Sequence, residues 1–322
     1  MNKKIWTIKE LIDWSKEYFE SKGVEEARLN IELILCQVLQ KKRIDLYLNF
    51  DLPLGETELI KIREFVSRRA KREPLQYILG EVEFDNHIFK VDKRVLIPRP
   101  ETEELVNIAK KLVQEKNYNS ILDIGTGSGC IAISLQNCNL QINKNTEITA
   151  IDISDDALNL SKENERLIQQ KNSNTSVQTK DKNEMSENDE TLTKIQNNIN
   201  WVNIDFFDDN LMNNYFENKN KFDLIISNPP YINTIQFNEL KPELIEYEPH
   251  IALTDFDDGL KFFRKIVTFC TKMLSYDGEL LLEFGFNQNN QIEKMFSEAG
   301  FEVEIIKDFQ GINRFAKINF KR

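Results

Sequence analysis

The run Ser120-Ile121-Leu122-Asp123-Ile124-Gly125-Thr126-Gly127-Ser128-Gly129-Cys130 decides the fold. Ile121 to Ile124 is short, apolar and rich in β-branched residues, as a buried strand is. Three glycines at every second position follow it, and they let the backbone turn tightly and come close to a ligand. The apolar residues through Leu135 then read as a helix, whose first N–H groups face the same turn without partners. Ile148 to Ile151 supplies a second strand, ending at Asp152. Strand, glycine turn, helix, strand and acid make a nucleotide-binding βαβ unit, and a carboxylate at Asp152 can accept both hydroxyls of a ribose.

Two details separate this unit from a dinucleotide site. The place of a third fingerprint glycine holds Cys130, and an acid, Asp123, precedes the first glycine. An acid there suits a cationic amino group better than a pyrophosphate. Both features favour S-adenosylmethionine over NAD.

Outward from this unit the strands continue. Trp201 to Ile204 reads as a third strand ending at Asp205-Phe206, where an acid and an aromatic can meet the amine and ring of an adenine. A fourth runs from Phe222 to Ile226 into Asn228-Pro229-Pro230-Tyr231. A fifth covers Gly278 to Phe284, and Phe301 to Ile306 with Arg314 to Phe320 form a terminal hairpin. Candidate ligand residues thus gather at the carboxyl ends of successive strands, as an open α/β sheet requires.

The Asn-Pro-Pro-Tyr turn carries the chemistry. Two prolines fix φ, remove two N–H donors and hold the preceding residues extended, so the strand stops in a stiff turn. The turn presents the Asn228 amide, the Pro229 carbonyl and the Tyr231 ring. Two acceptors and an aromatic face suit a planar substrate NH2, whose delocalised lone pair makes it a poor nucleophile. Holding both hydrogens directs the nitrogen and favours its pyramidalisation. The alternative is a Pro-Pro loop that merely closes a strand.

Ahead of the sheet, apolar residues at helical spacing (Ile8 to Phe19, Ala27 to Val38, Leu59 to Ala70) predict a helical domain over residues 1–74. Its basic end, Arg68-Arg69-Ala70-Lys71-Arg72, reads as a solvated helix C-terminus favoured by the macrodipole. Leu75 to Val91, with Asp85-Asn86 at its middle, predicts a β-hairpin, so residues 75–95 form a linker. Residues 96–322 make the catalytic domain, interrupted at 168–200 by a polar insertion whose composition predicts disorder.

The 322 residues carry a net charge of −11 with 42 basic and 53 acidic side chains, so the general surface is not built for a phosphate backbone. Direct nucleic-acid binding is not expected. The four cysteines lack paired spacing and there are only two histidines, which predicts neither a metal site nor a disulfide framework. No signal peptide or membrane-length apolar run is visible, and the expectation is a cytoplasmic monomer.

With these residues in place the chain resembles the bacterial release-factor glutamine methyltransferases over nearly its whole length. The resemblance is carried by the helical domain, the hairpin, Ile97-Pro98-Arg99-Pro100-Glu101-Thr102-Glu103, Asp123 to Gly129, Asp152, Asn228 to Tyr231 and Glu283 to Gly285. It implies a seven-stranded Rossmann-like class I methyltransferase sheet behind an N-terminal substrate-recognition domain. It also implies methylation of the glutamine amide nitrogen in the Gly-Gly-Gln loop of class 1 release factors. Asp123, Gly125, Thr126, Gly127, Ser128, Gly129, Asp152, Asp205, Phe206 and Asn228 would hold S-adenosylmethionine, and Asn228, Pro229, Pro230 and Tyr231 would hold the glutamine. Phe206 stands where relatives often carry tryptophan. The runner-up is a nucleic-acid amino-methyltransferase, which shares Asn-Pro-Pro-Tyr but should show a basic face or a target-recognition domain. A non-catalytic S-adenosylmethionine-binding subunit would not need the amide clamp, and a dehydrogenase is disfavoured by Cys130.

Overall fold

Asp85 and Asn86 both adopt positive φ, 51° and 60°, as a two-residue hairpin turn demands. They join β1 (Glu81–Phe84) to β2 (His87–Lys90). The computed structural model describes residues 5–141, 146–178 and 199–322, and the chain divides into two units.

The first unit comprises Met1–Glu81 together with Leu240–Tyr247. Helices Ile8–Ser21, Ala27–Leu39, Arg43–Leu48 and Glu56–Ala70 pack their apolar faces into one core containing Phe19, Ile31, Ile34, Leu35 and Ile62. Two expectations change here. Leu75–Leu79 is a short helix rather than a strand. Pro74 starts it, Gly80 stops it at φ 80°, and Leu75 and Ile78 lie on one buried side. The basic helix end is not simply solvated either. Arg69 is only 7 % exposed, and its Nε donates to Asn30 Oδ1 at 2.7 Å. Arg72 grips Glu243 with two 2.7 Å hydrogen bonds. Arg68 pairs with nearby Glu73, but the carboxylate that Arg69 and Arg72 share, Glu243, lies some 170 positions downstream.

The second unit comprises Val82–Glu239 and Glu248–Arg322. Its sheet contains β3 (Ser120–Ile124), β4 (Glu147–Asp152), β5 (Asn200–Asn203), β6 (Phe222–Ser227), β7 (Leu274–Glu283), β8 (Phe301–Lys307) and β9 (Asn313–Phe320). Their order across the sheet is β5-β4-β3-β6-β7-β9-β8. The first five are parallel, and β9 runs antiparallel to both β7 and β8. Successive residues of a strand face opposite sides, so Leu224 and Ile226 of β6 join one core and Ile225 the other; Phe222 also joins the second core, because the register shifts between Phe222 and Leu224. Helices Pro100–Glu115 and Cys130–Gln141 cover the first face, and Lys261–Met273 and Asn289–Glu298 the second. Chain order reverses between β3 and β6, which puts a crevice beyond the carboxyl ends of β3, β4 and β6.

The predicted insertion is also redrawn. Helix Asp155–Gln178 runs through its first part, and β5 takes its last residue. The rest of that expectation, residues 179–198, lies outside the described residues. Glu165 ties the two flanks, accepting from the Ile199 N–H at 3.3 Å and from Trp201 Nε1 at 2.8 Å. No helix among the described residues is long and apolar enough to cross a membrane.

Candidate active site

Gly125, Gly127 and Gly129 all adopt positive φ, 74°, 54° and 79°, so each needs glycine for its backbone alone. Their surroundings differ. A Cβ on Gly125 or Gly127 would meet nothing within 4 Å, whereas on Gly129 it would lie 2.9 Å from the Trp201 ring. The first two glycines border open space, and the third is a packing glycine.

Asp152, at the end of β4, closes this loop from the side. Its Oδ2 accepts from the Gly127 N–H and its Oδ1 from the Ser154 N–H, each at 2.9 Å. Burial raises its pKa, and the backbone N–H groups of Ser154, Gly127 and Ile153 only partly offset that. Each oxygen keeps a lone pair for a further donor. Asp123 is fully buried below the loop. Thr126 Oγ1 donates to its Oδ2 at 2.6 Å, while Oδ1 has no partner in bonding geometry. Burial, with Asp152 adding its charge, pushes the Asp123 carboxyl up to about 7. A buried acid short of one donor, beside a cradle with room for a ligand, fits a cationic, ribose-bearing group such as S-adenosylmethionine.

The adenine expectation fares differently. The Asp205 side chain accepts from the Phe207 N–H at 2.8 Å, stiffening its own turn. Phe206 is 5 % exposed and meets Phe269 edge to face at 5.5 Å. Its ring is a core element, with little face left for a base. Ile153, beside Asp152, is 47 % exposed and is the apolar side chain at that strand end with surface to offer.

The Asn-Pro-Pro-Tyr turn follows β6 directly. Ser227 Oγ donates to the Ile124 carbonyl at 2.7 Å, fastening this strand end to the one before the glycine loop. Asn228 Nδ2 donates to Thr102 Oγ1 at 2.9 Å, and Thr102 Oγ1 donates to Glu283 Oε2 at 2.7 Å. Tyr231 donates to the other Glu283 oxygen at 3.3 Å. Neither the Asn228 side-chain oxygen nor the Pro229 carbonyl accepts a hydrogen bond among the described residues. Two glycines make room for Tyr231. A Cβ at Gly259 would sit 2.6 Å from its carbonyl oxygen, and one at Gly285 would sit 2.9 Å from its ring. Gln288 Nε2 holds the same carbonyl at 3.0 Å. The motif around Arg99 reaches the same turn from another side. Buried Glu248 accepts from Arg99 Nη2 at 2.6 Å and from the Ile97 N–H at 3.1 Å.

Sequence reasoning set Thr102 and Glu283 in matching stretches without roles; their proximity to Asn228 is a product of the fold. The parallel sheet, its order and this cluster of loops are those of a class I S-adenosylmethionine-dependent methyltransferase. Comparison with known proteins narrows the class. Residues 10–80 match the family model of the PrmC N-terminal domain, and residues 146–303 match that of the Eco57I restriction-modification methylase. The release factor glutamine methyltransferase of Geobacter sulfurreducens is 37% identical over 311 residues, covering 96% of this chain and 95% of that protein. Those of Fusobacterium nucleatum and Flavobacterium psychrophilum are each 36% identical, over 95% and 94% of this chain and 77% and 94% of theirs. The chain belongs to the release factor glutamine methyltransferase family.

Proposed function

We propose that this enzyme methylates the side-chain amide nitrogen of the glutamine in the Gly-Gly-Gln motif of class 1 release factors, in support of translation termination. The observation that carries the reading is the pair of acceptors left unengaged in one stiff turn, Asn228 Oδ1 and the Pro229 carbonyl. Together they accept both N–H groups of a primary amide. That fixes the nitrogen's direction and favours the pyramidal geometry of attack over the planar ground state. Tyr231, set by Gly259, Gly285 and Gln288, packs on the amide plane.

Asp152 would accept the ribose hydroxyls, the glycine loop would bring backbone N–H groups to the ligand, and Asp123 would face the cationic end. When bound, S-adenosylmethionine supplies an electrophilic methyl group on a sulfonium. The protein works as a monomer in the cytoplasm, its substrate a protein rather than a nucleic acid.

A second reading, amino-methylation of a nucleic acid, is favoured by the match of residues 146–303 to a restriction-modification methylase. The net charge of −11 weighs against it. Methyl transfer from labelled S-adenosylmethionine to purified release factor, run beside tRNA, rRNA and DNA, separates the two. Label on nucleic acid and none on release factor would reverse the assignment.

A further inference from the structure

We infer that Thr102 and Glu283 set the polarity of the Asn228 amide, turning its oxygen rather than its NH2 toward the substrate. The inference rests on the proposed reading of Asn228 as an amide clamp and adds the residues that orient it. An asparagine side chain has a donor end and an acceptor end of nearly equal size, and a pocket that merely fits its shape accepts either orientation. A flipped Asn228 would aim N–H groups at the N–H groups of its substrate. The clamp would then repel the molecule it must hold.

The hydrogen-bond chain excludes that flip. An ionised carboxylate has no proton to give and can only accept. Thr102 has a single hydroxyl proton, and its Oγ1 lies 2.7 Å from Glu283 Oε2, so the proton is committed there. What Oγ1 has left for Asn228, 2.9 Å away, is lone pairs. Only the NH2 end of Asn228 satisfies them, and the oxygen is left for the site. Thr102 is 3 % and Glu283 1 % exposed, so bulk water offers no competing partner. The device joins a helix start, a strand end and a turn that are far apart in the chain.

The charge of Glu283 is therefore a working part. Burial raises its carboxyl to about 7, with Glu101 adding to the rise and the Thr102 hydroxyl, Arg314 and the Tyr231 hydroxyl opposing it. Cys130 also feels it, and burial keeps that thiol protonated. Once protonated, Glu283 can itself donate. The Thr102 proton is then free to turn toward the Asn228 oxygen, and the amide loses its fixed polarity. The active form is the ionised one, so turnover rises as pH increases through about 7.

Single-turnover methyl transfer to purified class 1 release factor tests this, with equilibrium S-adenosylmethionine binding measured for each variant. The wild type is run first. No transfer to release factor removes the amide-clamp reading and the inference with it. Given an active wild type, Glu283→Gln and Thr102→Val should each slow transfer by about 100-fold, the scale of misplacing a positioning contact, with cofactor affinity within about threefold. Thr102→Ser keeps the hydroxyl and should recover most of what Thr102→Val loses. The acid limb of the wild-type pH profile should be absent from Glu283→Gln. If Glu283→Gln does not fold, the Val and Ser variants at Thr102 decide. Both variants near the wild-type rate, or Ser no better than Val, overturns the inference while leaving the proposed function standing.

Discussion

The side chain of Asn164 pairs with the backbone of Lys90 as a neighbouring strand would. The Lys90 N–H donates to its Oδ1 at 2.7 Å, and its Nδ2 donates to the Lys90 carbonyl at 3.1 Å. The same Nδ2 donates to the Ser128 carbonyl at 3.0 Å. One helical turn earlier, Ser161 Oγ donates to the Gly127 carbonyl at 2.7 Å. Residues three apart share a helix face, so helix Asp155–Gln178 grips the glycine loop from behind and stitches the β1–β2 hairpin to the same point.

Asn164→Ala removes three hydrogen bonds and takes their partner away from the Lys90 N–H and carbonyl and from the buried Ser128 carbonyl. The expected loss is about 1–3 kcal/mol of stability. Asn164→Asp should do more harm than its size suggests, because it sets a carboxylate against two carbonyl oxygens. Thermal melts of both variants check this, and an Asp variant as stable as the wild type would refute the pairing described.

Gly127 and Gly129 allow a paired test of cradle against packing. Both alanine variants suffer positive φ, about 1 kcal/mol for a residue in the left-handed region. Only at Gly129 does the new methyl also strike Trp201, Ile133 and Ser161, within 3.0 Å. Gly129→Ala should therefore melt several degrees lower than Gly127→Ala. The Gly127 methyl would stand in space left for the ligand, and that variant should lose cofactor affinity at least tenfold. Melting curves beside calorimetric titration decide the matter; the reverse ranking in stability would mean the loop is misread.

Glu243 is the hinge of the helical unit's charge balance. Burial works to raise its pKa, yet the Arg72 hydrogen bonds hold it below the ordinary value. An acid with a depressed folded pKa contributes stability above its unfolded value of about 4.3, and that contribution is lost as pH falls through the folded value. Glu243→Gln should weaken the helical unit at neutral pH by about 1–3 kcal/mol and shrink this acid loss. Hydrogen exchange of helix Glu56–Ala70 reports on it, and unchanged protection would contradict the account.

The parts of the fold legible in the sequence are those written in local pattern. The glycine turn between an apolar strand and a helix, the Asp85-Asn86 hairpin turn and the prolines after β6 each act within a few residues. The site's supports were illegible because they join distant positions: Asn228 to Thr102 across 126 residues, Thr102 to Glu283 across 181. Leu75–Leu79 reads either way because a short, mostly apolar stretch fits strand and helix alike, and only the proline and glycine at its ends distinguish them. The burial of the Phe206 ring against Phe269 was not legible because position at a strand end does not say which way a ring turns.

Asp123 gives the last prediction. Its carboxyl is raised to about 7 by burial, with the Thr126 hydroxyl pulling it back, Asp152 pushing it further, and the Ala132 N–H acting only weakly. In the ligand-free protein the folded state then holds a proton that the unfolded chain, with its ordinary value of about 3.9, has released. The stability that this proton provides is present in acid and fades as pH rises toward 7. A cationic ligand reverses the balance, because positive charge beside the carboxyl favours its ionised form. Binding should therefore release a proton near neutrality, and S-adenosylmethionine affinity should climb as pH passes upward through about 7, then level off. Asp123→Asn should bind more weakly and lose the climb. Glu283 titrates in the same range, so the Asn variant is the necessary control: a slope that survives it belongs to another group. Calorimetry in two buffers of different ionisation enthalpy counts the proton directly. Wild-type protein that releases none, with affinity flat across neutrality, would place the cationic end of the cofactor away from Asp123.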